Sequence, residues 1–310
     1  VTVATSIGTA AVQRTHRRRR PWLARATPYW FLTPALIAVG GFVIYPIATV
    51  AVQSFFDVNP TKHEGWTFIG VQNYVEAVGD SAVWSVFGNS LIWTVGSVAA
   101  QLLVALAGAL LVQQLAAARL LRAIFVLPWA TPVVVGALAW KLLYQPDYGM
   151  INQLLGMVGL ANLQHAWLAD PHSALVAVVA ANVWRGFPFI MVLLIAGMAS
   201  IPRELYEAAS VDGATWAGTL RRITLPLLKP MLLTSTLMAL IWTFNNFSLI
   251  YVMTGGGPAG ATDILTTFVY KSAFGSFDFG YASALSMMLF SIVGIGSAVY
   301  IRAFGKEALS

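Results

Sequence analysis

The sequence predicts an all-α integral membrane protein with six transmembrane helices and a cytoplasmic helix-turn-helix between the fourth and fifth. Three observations predict it. Of 310 residues, 58% are hydrophobic and only 10% are charged, whereas a soluble domain carries about a quarter charged residues. Six apolar stretches are each long enough to cross a hydrocarbon core of about 30 Å. The basic residues cluster on one side of those stretches, as they do where positive charge is retained in the cytoplasm.

A basic tail, 1–28, comes first. Six of the eighteen basic residues (Arg14, Arg17 to Arg20 and Arg25) stand just before the first span. That placement reads as a topology signal or a contact with anionic membrane lipid, and not as nucleic-acid binding. A six-span domain follows over 29–303, with spans at 29–55, 89–115, 123–144, 173–199, 231–253 and 280–302. The first span is too long, and lacks the small-x-small exit, to be a cleaved signal peptide. A short tail, 304–310, ends the chain.

Orientation follows from charge. Arg119, Arg122, Arg203, Arg221, Arg222, Lys229, Arg302 and Lys306 join the basic tail on one side, and only Lys62 and Lys271 fall on the other, fourteen against two. Both termini and the 200–230 loop are therefore expected in the cytoplasm, and 56–88, 145–172 and 254–279 outside. Trp22, Trp30, Trp66 and Trp167 lie near span ends, as an aromatic belt requires.

The 203–226 loop is too polar and too interrupted to span a bilayer. Pro202 suits the first turn of a helix, where its missing N–H is no loss. Leu205, Ala208, Ala209 and Val211 recur at helical spacing. Asp212-Gly213 then ends the helix, because glycine tolerates a left-handed cap. A second helical stretch is expected over 214–223, stopping before Pro226.

Charge inside a membrane is costly, so each instance needs a reason. All twelve acids lie outside the spans, which leaves no intramembrane proton relay. Arg185 stands in the middle of the fourth span, within Asn182-Val183-Trp184-Arg185-Gly186-Phe187-Pro188-Phe189. Gly186 and Pro188 are expected to loosen that helix. Arg185 then either lines a wet pathway, touching substrate hydroxyls or a phosphate, or is satisfied by carbonyls or a partner's acid. Lys141, near the outer end of the third span, is expected to snorkel. In the fifth span, Trp242-Thr243-Phe244-Asn245-Asn246 puts two amides at membrane depth, where an unpaired amide costs a few kcal/mol. Trp242 and Asn246 are four apart and share a helical face with Thr243 alongside. An aromatic beside amides suits a sugar; interhelical hydrogen bonding is the other use of such residues.

Other chemistries lack their residues. With no cysteine there is no disulfide framework or thiolate site. No G-x-x-x-x-G-K-[ST] occurs, so the chain itself binds no ATP, and Gly255-Gly256-Gly257-Pro258 reads as a turn. His16, His63, His165 and His172 are scattered over loops without metal-ligand spacing. No catalytic constellation is present.

The loop between spans four and five carries Glu207-Ala208-Ala209, then Asp212-Gly213, then Ile223, Leu225 and Pro226. This resembles, without departure, the EAA loop of permease subunits in binding-protein-dependent ABC importers. F-I-G-V-Q-N-Y at 68–74, L-P-W-A-T-P at 127–132, P-D-Y-G-M-I-N at 146–152 and T-G-G-G-P at 254–258 look like signatures of the carbohydrate-type, MalF-like permeases. The resemblance implies that the loop is a coupling helix for two copies of a cytoplasmic ATPase, which would hold ATP and Mg while this chain binds no cofactor. It implies further partners: a second, MalG-like permease subunit and an extracytoplasmic solute-binding protein, in a bacterial inner membrane. It places Trp242, Thr243 and Asn246 at sugar-pathway positions, and Gly186 and Phe189 less tightly. Ala239 falls where the relative has Ser, and Thr243 where it has Asn, so maltose itself does not follow. The implied solute is a sugar or oligosaccharide of the trehalose or maltose type. Glycerol-3-phosphate or another anionic solute is the alternative kept open by Arg185, and a stand-alone channel or carrier is the more distant one.

Overall fold

The computed structural model describes residues 30, 32–61, 65–114 and 118–308. The arginines of the basic tail, Trp22, Lys62, His16 and His63 lie outside the described residues. The chain divides after Thr49 into a short N-terminal unit and a main unit. The first helix, α1, covers Leu32–Gln53 with one π turn at Gly40–Ile44.

A two-stranded hairpin, β1 (Phe56–Asp57) and β2 (Thr67–Phe68), opens the main unit. The amide of Asn73, at the start of α2 (Gln72–Gly79), ties it down by donating to the carbonyls of Ser54 and Phe56 at 3.0 and 3.1 Å. Helix α3 then runs Ser81–Gln114, starting a full two turns before the expected 89. Its added residues bury Val83 and Val86 against the last helix and the 265–268 turn.

The third apolar stretch is not a straight span. It is a broken pair, α4 (Ala118–Ala130) and α5 (Val133–Leu143), bent by 100°. Pro132 forces the break: it has no N–H to donate, and its ring drives Thr131 out of the α region. At the last turn of α4 the Leu127 carbonyl accepts from both the N–H and the Oγ1 of Thr131, at 3.1 and 2.9 Å. A short helix, α6 (Met150–Met157), follows.

Helix α7 spans Pro171–Ala199, capped by Asp170, whose side chain accepts from the N–H of His172. It packs chiefly on α3. Ala105 and Ala109 keep that face of α3 narrow, so that Ile190, Met191, Leu194 and Met198 can seat against it. Small residues four apart are the usual means of bringing membrane helices close. Helix α7 also runs unbroken through Gly186 and Pro188, against the loosening expected there.

The loop helix α8 covers Arg203–Val211, with Pro202 one place earlier than expected, at the N-cap. Beyond it, α9 runs Trp216–Phe244 without a stop. The expected end before Pro226 is replaced by a π turn at Leu220–Thr224, in which Leu225 N–H bonds Leu220 O. One inserted residue widens the turn and accommodates the ring and missing donor of Pro226. At its far end α9 stops at Phe244, short of the expected 253. Asn245 and Asn246 separate it from α10 (Phe247–Met253). Helix α11 (Leu265–Tyr270) continues into a π turn, Lys271–Gly275, and α12 covers Phe279–Ala308, into the stretch read as a tail.

Among the described residues, five helices are long and apolar enough to cross a membrane, or six with the bent pair. The T-G-G-G-P segment is the expected turn: Gly255 and Gly256 have φ of +61° and +87°. Thr262 holds it, its Oγ1 donating to Gly257 O at 2.7 Å and lying 2.7 Å from Thr254 Oγ1, while the neighbouring Asp263 accepts from Lys271 Nζ on both oxygens at 2.8 and 2.7 Å and from Thr267 Oγ1 at 3.0 Å. A Cβ at Gly256 would run into Asp263 Oδ1 and the Lys271 ammonium. Gly256→Ala is therefore expected to cost about 2 kcal/mol through strain and a displaced ion pair. Thermal melts of purified protein check this; an unchanged melting temperature would contradict it.

Candidate functional site

A cavity of about 190 Å³ lies where α3, α4, α7 and α9 meet. Its lining includes all seven pathway residues singled out in the sequence: Asn182, Arg185, Gly186 and Phe189 from α7, Trp242 and Thr243 from α9, and Asn246 from the break that follows. Ala239 lines it too, at the position where the resemblance flagged a Ser.

The two helix breaks build the walls. The kink after Ala130 presents Trp129, whose ring stacks on Phe189 at 5.9 Å and 28°. Phe189 in turn meets Trp242 at 4.9 Å. Trp242 is 51% exposed, so one side of this aromatic wall is open. The second break frees Asn246 from the helix. It does not share a continuous helical face with Trp242, as the i, i+4 spacing suggested, yet it still reaches the cavity. Its Oδ1 accepts from Leu249 N–H at 3.4 Å, capping α10, and its Nδ2 donates to Asn182 Oδ1 at 3.4 Å. Asn246 thus bridges two helices and also lines the cavity.

Hydrogen-bond supply is unbalanced here. Asn182 Nδ2 and Arg185 Nε are buried donors with no partner among the described residues. The lining contains one cation and no carboxylate. A buried polar group without a partner costs about 1–3 kcal/mol, so the site suits a ligand or water that offers acceptors to these two groups. Among the described residues no cluster of His, Cys, Asp or Glu could hold a metal.

Gln101, Trp129 and Ile190 also line the cavity and were missed in the sequence. Gln101 had a usable signal: it is an amide in the middle of an apolar span, and the argument from desolvation cost applied to Asn246 applies equally to it. Its Nε2 donates to the Asn182 carbonyl at 3.1 Å. Gly186 makes this contact possible, because a Cβ there would collide with the Gln101 amide. The glycine serves close approach and leaves the helix straight. Trp129 sits in the L-P-W-A-T-P segment, whose position relative to α7 no sequence period reveals.

At the other end of α9 stands the second group of singled-out residues. Helix α8 carries Glu207, Ala208 and Ala209 and ends at Asp212-Gly213. Gly213 has φ +72°. Its N–H bonds Ser210 O at 3.1 Å, and Ala214 N–H bonds Ala209 O at 2.9 Å, which is the Schellman pattern that a C-terminal glycine supports. Thr215 caps the following helix by accepting from Gly218 N–H at 3.2 Å. Tyr206 anchors the hairpin, its hydroxyl 3.3 Å from Thr224 Oγ1. The apolar stripe of α8 does not enter the chain's own core: Val211 is 87% and Leu205 41% exposed, and Trp216 nearby is 62% exposed. Ile223 and Leu225 are half-buried, and Pro226 is exposed.

Residues 94–303 match the family described as the binding-protein-dependent transport system inner membrane component. The chain belongs to this family. It is 35% identical over 278 residues to the trehalose/maltose transport system permease protein MalF of Thermococcus litoralis, covering 88% of this chain and 92% of the relative. It is 33% identical over 275 residues to the sulfoquinovosyl glycerol transport system permease protein SmoG of Agrobacterium fabrum, covering 87% and 88%. In fold it is similar to a chain of a bacterial alginate ABC transporter solved in complex with an alginate pentasaccharide-bound periplasmic protein. The TM-score is 0.77 at 19% identity, covering 93% of this chain and 97% of the other.

The Gln101–Gly186 contact of this family member generates a test. Gly186→Ala is expected to lower stability by about 1 kcal/mol, as overpacking does. Adding Gln101→Ala to the same chain is expected to remove most of that loss, because the obstructing amide is gone. A double-mutant cycle of thermal melts reads the coupling; strictly additive losses would refute it.

Proposed function

We propose that this chain is a permease subunit of an ATP-driven, binding-protein-dependent importer for a sugar or oligosaccharide. The observation that carries the reading is the cavity, where a wall of Trp129, Phe189 and Trp242 faces amides and two unpaired donors. A pyranose offers what such a site lacks: an apolar face for the rings and hydroxyl oxygens for Asn182 and Arg185. The named relatives, with trehalose, maltose and sulfoquinovosyl glycerol in their descriptions, support the same class.

The coupling role belongs to α8 and the turn after it. Its exposed apolar side chains, Leu205, Val211 and Trp216, are suited to a groove on a cytoplasmic ATPase present in two copies, which would hold ATP and Mg. A second, MalG-like permease would close the open side of the cavity. An extracytoplasmic binding protein would deliver solute to the 254–279 face. In this reading both termini are cytoplasmic. ATP-driven closure of the ATPase pair moves the Glu207–Pro226 hairpin, and α9 carries the displacement to Trp242. Coupling requires that the ATPase bind the two states of the hairpin with different affinity.

A second reading keeps the same machinery and changes the solute to glycerol-3-phosphate or another anionic compound. The unpartnered Nε of Arg185 favours it. Competition for uptake separates the two: phosphate esters inhibit if the solute is anionic, and neutral disaccharides do so if it is not. A stand-alone channel or carrier would move solute without ATP, and uptake by proteoliposomes lacking the ATPase tests that.

Gly213→Val forces a β-branched residue into left-handed geometry, a strain of about 1–3 kcal/mol. The variant is expected to insert and assemble, yet lose stimulation of ATP hydrolysis by the solute-loaded binding protein. Normal stimulation would rule out the coupling role. Asn246→Leu removes both the cap and the bridge to Asn182. It is expected to weaken solute uptake about tenfold or more, the effect of losing roughly 1.4 kcal/mol, while basal ATPase activity stays. Unchanged uptake kinetics would leave Asn246 a purely structural bridge.

A further inference from the structure

A second cavity lies away from the first. The segment 245–278 joins the end of α9 to the start of α12, at the end of α9 opposite the α8 hairpin. Tyr251, Tyr270 and Phe274, with Lys141 of α5, Lys271, Thr254 and Gly255, line an open cleft of about 670 Å³. That is several times the central cavity and large enough for a disaccharide.

Its rings form a cluster. Phe274 meets Tyr270 at 5.0 Å, Tyr270 meets both Tyr251 and Phe247 at 5.0 Å, and Tyr251 stacks on Phe247 at 4.7 Å and 23°. Phe247 directly follows Asn246, which lines the central cavity. The cluster is thus next to the inner site along the chain. The i, i+4 spacing of Tyr270 and Phe274, combined with the π turn at Lys271–Gly275, brings their rings together at a tilt of 38°. The Tyr270 hydroxyl donates to Tyr251, which raises the Tyr270 pKa.

The cleft is not a simple lipid-facing surface. It carries two ammonium groups and no carboxylate in its lining. Asp263 fixes Lys271 through both oxygens at 2.8 and 2.7 Å, so the Lys271 position is set before anything binds, and Lys141 stands exposed beside Tyr251. Aromatic side chains flanked by ammonium donors match a pyranose, whose faces are apolar and whose edges accept hydrogen bonds. We propose that this cleft is an outer saccharide subsite that receives the solute ahead of the central cavity. The proposal rests on the sugar-importer reading.

The test exploits the absence of cysteine from the chain. A Cβ at Gly275, on the rim of the cleft, meets nothing within 4 Å, so Gly275→Cys places a single reactive thiol there without distortion. The chain is purified with its partner subunits, reconstituted in proteoliposomes, and labelled with a membrane-impermeant maleimide, with maltose, trehalose or digalacturonic acid as probes. At least one probe is expected to slow labelling, and to do so also when Trp242→Ala removes the aromatic wall of the inner site. Tyr270→Ala is expected to raise the protecting concentration about tenfold, the loss of one stacked ring, and Tyr270→Phe to leave it near the parent value.

Uptake of a probe without any protection of the thiol overturns the outer subsite and leaves the importer reading intact. A thiol shielded by the second permease, with or without saccharide, makes the cleft a subunit contact and also overturns it. If the parent complex neither binds nor moves any of the three probes, the saccharide reading and the subsite fall together.

Discussion

Hydrocarbon offers no partner to an unpaired backbone group, and this one constraint organises the structure. Helices in a membrane can break only where protein or water satisfies the freed carbonyls and N–H groups. The breaks of this chain at Thr131–Pro132 and Asn245–Asn246 both border the same cavity. Side chains add hydrogen bonds to the backbone there. Thr131 Oγ1 donates to Leu127 O, Asn246 Oδ1 accepts from Leu249 N–H, and the buried Trp93 Nε1 donates to Thr243 O at 2.9 Å at the end of α9. The polar site is the place where broken backbone is affordable.

Helix α7 stays whole through Pro188. One turn earlier, Gln101 reaches over Gly186 to bond Asn182 O. A straight α7 holds Asn182, Arg185 and Phe189 on one side at one-turn spacings. The donors Asn182 Nδ2 and Arg185 Nε, without a partner among the described residues, then face a cavity whose lining holds no carboxylate.

Helix α9 links the two candidate sites. It is continuous from Trp216 beside the α8 hairpin to Trp242 in the cavity, a rod of roughly 40 Å at 1.5 Å per residue. Its one irregularity, the π turn at Leu220–Thr224, lies near the hairpin end. Such a rod transmits displacement more directly than two helices joined by a loop, the arrangement that a stop before Pro226 would have produced.

Much was legible because it depends on local chemistry. Apolar run length determined the number of spans, and the Gly213 cap followed from the left-handed geometry that only glycine adopts cheaply. The cost of burying an amide or a guanidinium points to Asn182, Arg185 and Asn246 directly, since polar groups at that depth must share a wet or protein-lined site. Where helices break was less legible. A proline can end a helix, as Pro132 does, be absorbed in a π turn, as Pro226 is, or be tolerated, as Pro188 is, and the outcome depends on which neighbour can satisfy the orphaned groups. The sequence by itself determined that this is a membrane protein with a capped polar hairpin and a polar site at depth. Only the tertiary structure decided that Trp129 and Gln101 complete that site, because contacts between residues far apart in the chain arise from packing, which no period along the chain encodes.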